Sequence, residues 1–159
     1  MLSDVDHRIL TLGIDLPDAA PPAANYVPFK VEGDVVYVSG QLPMSSGALE
    51  YVGKIGEDFS TEQGYKASEL CALNILAQLK EACGGDLNCI ESCLKLTGFV
   101  NAIDSYTEHP EVVNGASDLM IKVFGEQNGR HARAAVGVAS LPRGVAVEVE
   151  GIFKLKKAS

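Results

Sequence analysis

Residues 131–151 read HARAAVGVASLPRGVAVEVEG, and the reading of this stretch decides the end of the domain. Two runs rich in Ala and Val flank Leu-Pro-Arg-Gly, whose Pro and Gly favour a turn, so the pattern predicts two closing strands. Read as a hairpin centred on Pro142-Arg143, they set Arg133 opposite Ile152, Ala135 opposite Glu150 and Gly137 opposite Glu148. Directly opposed residues share a face, so Arg133, Glu148 and Glu150 would surround the small Ala135 and Gly137. A slip of one residue would send the glutamates to the other face. Two meanings stay open. A guanidinium fork beside carboxylates and empty space suits a two-point grip on a substrate carboxylate, with a glutamate holding or deprotonating a water. The same residues would equally make an Arg–Glu salt bridge on a solvent-facing strand.

Working back from this pair, residues 93–103 (CLKLTGFVNAI) alternate as a central strand does, and Pro110 sits where a first helical turn tolerates proline. A helix is expected over about 110–125, with Leu119, Met120, Val123 and Phe124 inward. Ser60-Thr61-Glu62-Gln63 fits a capping box at the start of a longer helix. Apolar residues at 67, 70, 73, 76, 77 and 79 give that helix a buried stripe, and Gly84-Gly85 ends it. Between Gln41 and Phe59 the chain reads as loop. Before it, runs at 26–31 and 35–39 flank Glu-Gly-Asp, a hairpin signal, and Pro28 confines the first run to an edge. The proline-rich residues 1–25 are expected to hold little regular structure. The order ββ-α-β-α-ββ predicts an α+β layer: one sheet with two helices on one face. Because the strands are apolar on both sides, the other face should be covered by oligomerisation.

With 159 residues, 47% apolar and 21% charged, the chain suits one domain that buries roughly 70% of its unfolded surface without a metal or disulfide staple. The net charge of −8 and the lack of clustered Lys and Arg argue against a nucleic-acid partner. The start MLSDVDHRILTLGI is acidic and lacks the pattern of a signal peptide, and no apolar run has the length of a membrane span. A cytoplasmic location is expected, with Cys71, Cys83, Cys89 and Cys93 as reduced thiols packed like small hydrophobes. Their spacing lacks the paired four-ligand pattern of structural zinc. No glycine-rich nucleotide loop is present, so no cofactor is expected.

Other candidates are weaker alone. Ser39 ends a strand in Ser39-Gly40-Gln41, where a hydroxyl and backbone N–H groups can meet a ligand or simply make a turn. Tyr26 reads as a core aromatic or a pocket lid, and Asn114 as a local helix hydrogen-bonder or a ligand contact. His131 is either exposed at a strand entrance or a base beside Arg133. Asp104, Ser105 and His109 are close in sequence, but nothing arranges them as a hydrolase triad.

YVSGQLP at 37–43, the capped helix, GFVN at 98–101, NGASDL at 114–119 and the run HARAAVGVASLPRGVAVEVEGI at 131–152 together resemble the YjgF/RidA family. The resemblance spans roughly residues 24–155 and is closest to a longer branch with Asn-Gly-Ala-Ser-Asp and Gly-Arg-His-Ala-Arg motifs. It implies a domain at 24–157 after an N-terminal extension at 1–23, with a chorismate-mutase-like α+β fold. The fold would have ββαβαββ order, one mixed sheet covered on one face by two helices, and homotrimerisation through the other face with pockets between subunits. It implies hydrolysis of enamines and imines such as 2-aminoacrylate to keto acids and ammonia, without a cofactor or metal. By position, Arg133 would grip the substrate carboxylate and Glu148 would orient the water. Tyr26, Ser39 and Asn114 would line the pocket. Where the deaminase branch has Pro-Ala-Arg-Ser-Cys, this chain has His131-Ala132-Arg133-Ala134-Ala135, so Ala135 takes the place of the pocket cysteine and His131 that of a proline. A larger or differently shaped carboxylate fits these changes. Two alternatives stand beside the deaminase: a non-catalytic binder or sensor of small carboxylates, and a ribonuclease as attributed to some relatives.

Overall fold

The computed structural model describes residues 4–22 and 24–158. The strongest local signal holds. Ser60 caps α2 (Thr61–Ala82) through its side chain, and Gln63 reaches back to the Ser60 backbone, closing the capping box. Cys83 is the C-cap, followed by Gly84 and Gly85 with φ of 65° and 105°. Pro110 sits in the first turn of α3 (His109–Phe124), with Leu119, Met120, Val123 and Phe124 all buried. The first hairpin joins β1 (Phe29–Glu32) to β2 (Val35–Gln41), with Gly33 supplying the positive φ of its turn.

Three local expectations are corrected. The first 25 residues include a short helix, α1 (Asp4–Thr11), which buries Val5 in the core and donates from Arg8 Nη1 to Val123 O at 3.4 Å. A cation at the last turn of α3 suits its exposed carbonyls. The 41–59 loop contains a two-rung hairpin of β3 (Met44–Ser45) and β4 (Ala48–Leu49). Cys83 and Cys89 form a disulfide, their Cα atoms 6.0 Å apart, because the Gly84-Gly85 turn folds the end of α2 back on the chain entering β5 (Ile90–Asn101). Cys71 and Cys93 are free and buried, and desolvation pushes the Cys93 thiol up to about 12.

The largest correction concerns the closing strands. After the single turn α4 (Glu126–Gly129), both β6 (Ala132–Val138) and β7 (Val147–Leu155) form, but not as a hairpin. The sheet order is β1-β2-β7-β5-β6, so β5 lies between them. β6 pairs parallel to β5, making a β5–α3–β6 unit, while β7 pairs antiparallel to β5 and β2. The segment 139–146 crosses the end of β5 instead of turning tightly. Asn101, 4% exposed, holds that crossing by donating Nδ2 to Val145 O at 3.1 Å. Its Oδ1 accepts from Lys54 Nζ at 2.8 Å, and Lys54 Nζ also donates to Ala139 O at 2.7 Å. Replacing Asn101 by Ala leaves buried backbone carbonyls without donors, so Asn101→Ala is expected to lose about 2–3 kcal/mol of stability, read by urea unfolding.

α2 and α3 cover one face of the sheet, packing Ile75, Leu76, Leu79 and Met120 on Val36, Leu96, Val100, Val149 and Phe153. The other face is open. Its rows run Tyr37–Ile152–Lys95–Ala132, Glu150–Thr97–Ala134 and Glu148–Phe99–Val136. Tyr37 is 50% exposed and Val136 43% exposed on this face.

Candidate functional site

Pairing through β5 places Arg133 in the row of Leu96 and Gly151, on the helix-covered side. Glu148 and Glu150 point to the open side, in the rows of Phe99 and Thr97. The expectation that arginine and glutamates share one face is therefore corrected. Inserting β5 between β6 and β7 breaks the direct pairing on which it rested.

The helix-side group is tightly built. Arg133 Nη1 donates to Asn114 Oδ1 at 2.8 Å and to Ser117 Oγ at 3.2 Å. Asn114 and Ser117 are three residues apart on α3 and so lie on one helix face. Ser117 also shares a hydrogen bond with His131 Nε2 at 2.8 Å, and His131 Nδ1 meets Gly129 O at 2.7 Å. His131 is thus half-buried and fixed. Burial, with a smaller contribution from Arg133, lowers its pKa below the ordinary value and favours the neutral ring. Ala135 is half-buried two residues along the same side of β6, in the row of Gly98. Both bonds that hold the guanidinium use Nη1, and among the described residues no carboxylate pairs with it. That excludes the simple Arg–Glu bridge and leaves Nη2 and Nε as donors for an anion. Ser117, not singled out from sequence, was detectable only as the residue one helical turn beyond Asn114.

A second group lies at the opposite side of the sheet. Between Val38 and Gln41, β2 bulges against β7, and Ser39-Gly40 occupies the bulge. A Cβ on Gly40 would collide with the Glu148 carboxylate, so glycine permits this approach. Burial, and secondarily Glu150, raises the Glu148 carboxyl above its ordinary value near 4.5. Ser39 Oγ donates to Val27 O at 2.7 Å, which ties the strand to the segment carrying the exposed Tyr26. Tyr26, Ser39 and Glu148 are thus gathered near one end of the bulged strand, while Asn114, His131, Arg133 and Ala135 gather at the far sheet edge.

The sign of the Glu148 shift is testable. A carboxyl with a raised folded pKa adds stability that is fully present below its unfolded value near 4.5 and is lost as pH rises through the folded value. Glu148→Gln is therefore expected to raise Tm relative to the parent at pH 7, with the difference closing towards pH 4. Calorimetric melting across that range checks this, and an equal Tm at pH 7 would refute it.

A five-stranded mixed sheet with two helices on one face, a β5–α3–β6 edge carrying an arginine fork, and an open opposite face define a chorismate-mutase-like domain of the YjgF type. The matching family model, described as "YjgF/chorismate_mutase-like, putative endoribonuclease", covers residues 6–149. The chain belongs to the YjgF/RidA family. It is 47% identical to protein TCP17 of Trypanosoma cruzi over 95% of this chain and 94% of that one. It is also 47% identical to the Agrobacterium tumefaciens protein Atu1372, of unknown function, whose crystal structure superposes with a TM-score of 0.89 over 96% and 92% of the two chains. A crystal structure from Shewanella oneidensis, described as a putative endoribonuclease, is 36% identical, with a TM-score of 0.92 over 96% and 100%. Among the described residues no helix is long and apolar enough to cross a membrane, and no three His, Cys, Asp or Glu cluster as metal ligands.

Proposed function

We propose that the protein hydrolyses small enamine or imine carboxylates to keto acids and ammonia, in pockets that form between copies of the chain. The observation that carries this reading is the Arg133 fork, held by neutral Asn114 and Ser117 and, among the described residues, without a carboxylate partner. A cation held open by neutral partners is built to receive an anion. The base that the reaction needs is Glu148, on the other face of the sheet. One protomer cannot bring the two groups to one substrate, but the exposed sheet face beside an edge strand lets a second copy complete the site. A homotrimer closes such a contact without leaving a free end. Light scattering is expected to give about three times the chain mass of 16.8 kDa.

In this reading the enamine takes a proton on carbon to become the imine, and Arg133 holds its carboxylate. Water adds to the imine carbon while Glu148 accepts a water proton. Glu148 passes that proton to the nitrogen, and the hydroxyl proton follows as the carbon–nitrogen bond breaks, so ammonia leaves and the keto acid remains. A raised carboxyl pKa makes Glu148 a stronger base towards neutral pH. Positioning does much of the work, since the carbon attacked is already electrophilic. The test follows 2-aminoacrylate, released from serine by a dehydratase, with and without the protein. Unchanged decay would refute the activity.

A second reading, carboxylate binding without turnover, draws on the same fork and on Ala135 and His131, which depart from the deaminase pattern. Calorimetry showing 2-oxobutyrate binding together with unchanged 2-aminoacrylate decay would favour it. RNA cleavage fits poorly with a net charge of −8.

A further inference from the structure

In the group around Arg133, His131 is the one side chain that can change its charge near neutral pH, and its bonds fix where its protons sit. A carbonyl oxygen only accepts, so the contact of Nδ1 with Gly129 O at 2.7 Å requires a hydrogen on Nδ1. A guanidinium only donates, so Ser117 Oγ accepts from Arg133 Nη1 at 3.2 Å. Between these two ends lies the bond of Ser117 Oγ with His131 Nε2 at 2.8 Å. With the ring neutral, Nε2 is a bare acceptor and takes the Ser117 hydroxyl proton. The bonds then run one way, from Arg133 through Ser117 and the ring to Gly129, and each donor has its acceptor.

A second proton on the ring breaks none of these contacts. Nε2 becomes a donor, and Ser117 Oγ, with two lone pairs, accepts from both His131 and Arg133. The hydroxyl hydrogen is then free to turn to the helix carbonyl one turn back. The cost is electrostatic, because two cations share one oxygen. Burial holds the free ring below its ordinary value, the bond to Gly129 opposes this, and the Arg133 charge adds to it. Among the described residues no carboxylate pairs with either cation. On the elements around the ring, Asp118 of α3 is bonded by Tyr65, and Glu126 and Arg130 of α4 pair with each other. Glu91 of β5 pairs with Lys154, and Lys95 of β5 lies in the row of Ala132 on the open face. Lys122 of α3 and Arg8 of α1 bring only further positive charge.

We propose that binding at this site is proton-linked: His131 is neutral while Arg133 waits and takes up a proton as a carboxylate settles on the fork, so that two cations hold one anion. His131 acts through Ser117 and is a positioning residue. The inference rests on the carboxylate site proposed above. A bound anion cancels the Arg133 charge at the ring and favours the imidazolium, so the pKa of His131 is higher in the complex than in the free protein. Affinity is therefore expected to rise as pH falls through the value in the complex, and to level off below the value in the free protein.

Calorimetry of the intact protein with 2-oxobutyrate, whose carboxylate stays ionised throughout, compares pH 8 with pH 6. Kd is expected to be about fivefold lower at pH 6, since a shift of one pK unit corresponds to tenfold in affinity at full protonation. The binding heat at pH 6 is expected to differ between phosphate and Tris buffers, because the buffer supplies the proton. His131→Gln keeps an acceptor for Ser117 but cannot titrate, and is expected to bring the ratio of the two Kd values below about twofold. A ratio that persists in His131→Gln and disappears in Glu148→Gln would assign the proton to Glu148 and overturn the inference. Equal Kd at both pH values would overturn it too and leave the carboxylate site standing, whereas no binding at either pH would overturn both. Proton NMR of the three histidines decides the matter even if the variants fail to fold. Saturation with 2-oxobutyrate is expected to raise the pKa of His131, and an unchanged value overturns the inference.

Discussion

Arg133→Ala is expected to lower kcat/KM for enamine hydrolysis by at least ~100-fold, equivalent to about 2.7 kcal/mol of lost transition-state binding. The magnitude follows from what the fork offers. Hydrogen bonds to a charged group contribute ~1.5–3 kcal/mol each, and beyond the two Nη1 donors used by Asn114 and Ser117 the guanidinium keeps those of Nη2 and Nε. Removing it leaves a carboxylate in the pocket without its counter-charge. Arg133→Lys restores the charge but not the planar fork, so it is expected to recover only a small part of the loss. Asn114 and Ser117 are positioning residues: they touch Arg133 and set the angle at which it waits. If Arg133→Ala retains parental kcat/KM, the assigned role fails, whatever the fold does.

The second large effect is on stability. Gly115→Ala is expected to cost about 3 kcal/mol or more and to lower Tm by about 10 °C, measured by calorimetry. Gly115 lies on α3 where it meets α2. A Cβ there would strike the Tyr65 carbonyl oxygen and come within 2.6 Å of Ser68 Oγ. A backbone carbonyl of another helix cannot swing aside as a side chain can. Ser68 is also committed, donating to Val112 O at 2.7 Å and accepting from Ala116 N at 2.9 Å. Both bonds depend on the close approach that glycine permits. A parental melting temperature in Gly115→Ala would show that the two helices can separate without loss.

These two predictions meet in the run Asn114-Gly115-Ala116-Ser117-Asp118. Asn114 and Ser117 hold the arginine. Gly115 and the Ala116 amide bring α2 close, and Asp118 accepts from Tyr65 Oη at 2.8 Å. Five consecutive residues thus fix both the helix pair and the site, because successive helical positions point to different neighbours. A substitution that loosens the helix contact should therefore also reach the arginine.

Much of this molecule is legible in the chain itself. The limits of α2 were readable because capping is local: Ser60 and Gln63 act on backbone groups within one turn. The inward face of α3 followed from its spacing, and the first hairpin from Glu32-Gly33-Asp34. Arg133, Glu148 and Glu150 stood out in the chain, but their residues alone left an anion clamp and a plain salt bridge equally open. The partnering of strands did not. β6 and β7 alternate in the same way whether they pair with each other or each with β5, so composition is silent on the choice. Nor could spacing reveal that Cys83 and Cys89 meet, or that Ser117 joins Asn114 on Arg133.

By itself, the sequence determined the helices α2 and α3 and their buried faces, the strand runs of the main sheet, and which residues can carry charge chemistry, but not α1, the β3–β4 hairpin or the polar row of Lys95, Thr97, Glu148 and Glu150 on the open face. The tertiary structure alone decided that Arg133 and Glu148 look out from opposite sides of one sheet. The physical reason is that local preference is set within a few residues, whereas the insertion of β5 between β6 and β7 is set by packing α3 over the core and by Asn101 and Lys54 holding the crossing chain. Of the two meanings the run left open, that insertion removes the Arg–Glu bridge and leaves the fork held by Asn114 and Ser117.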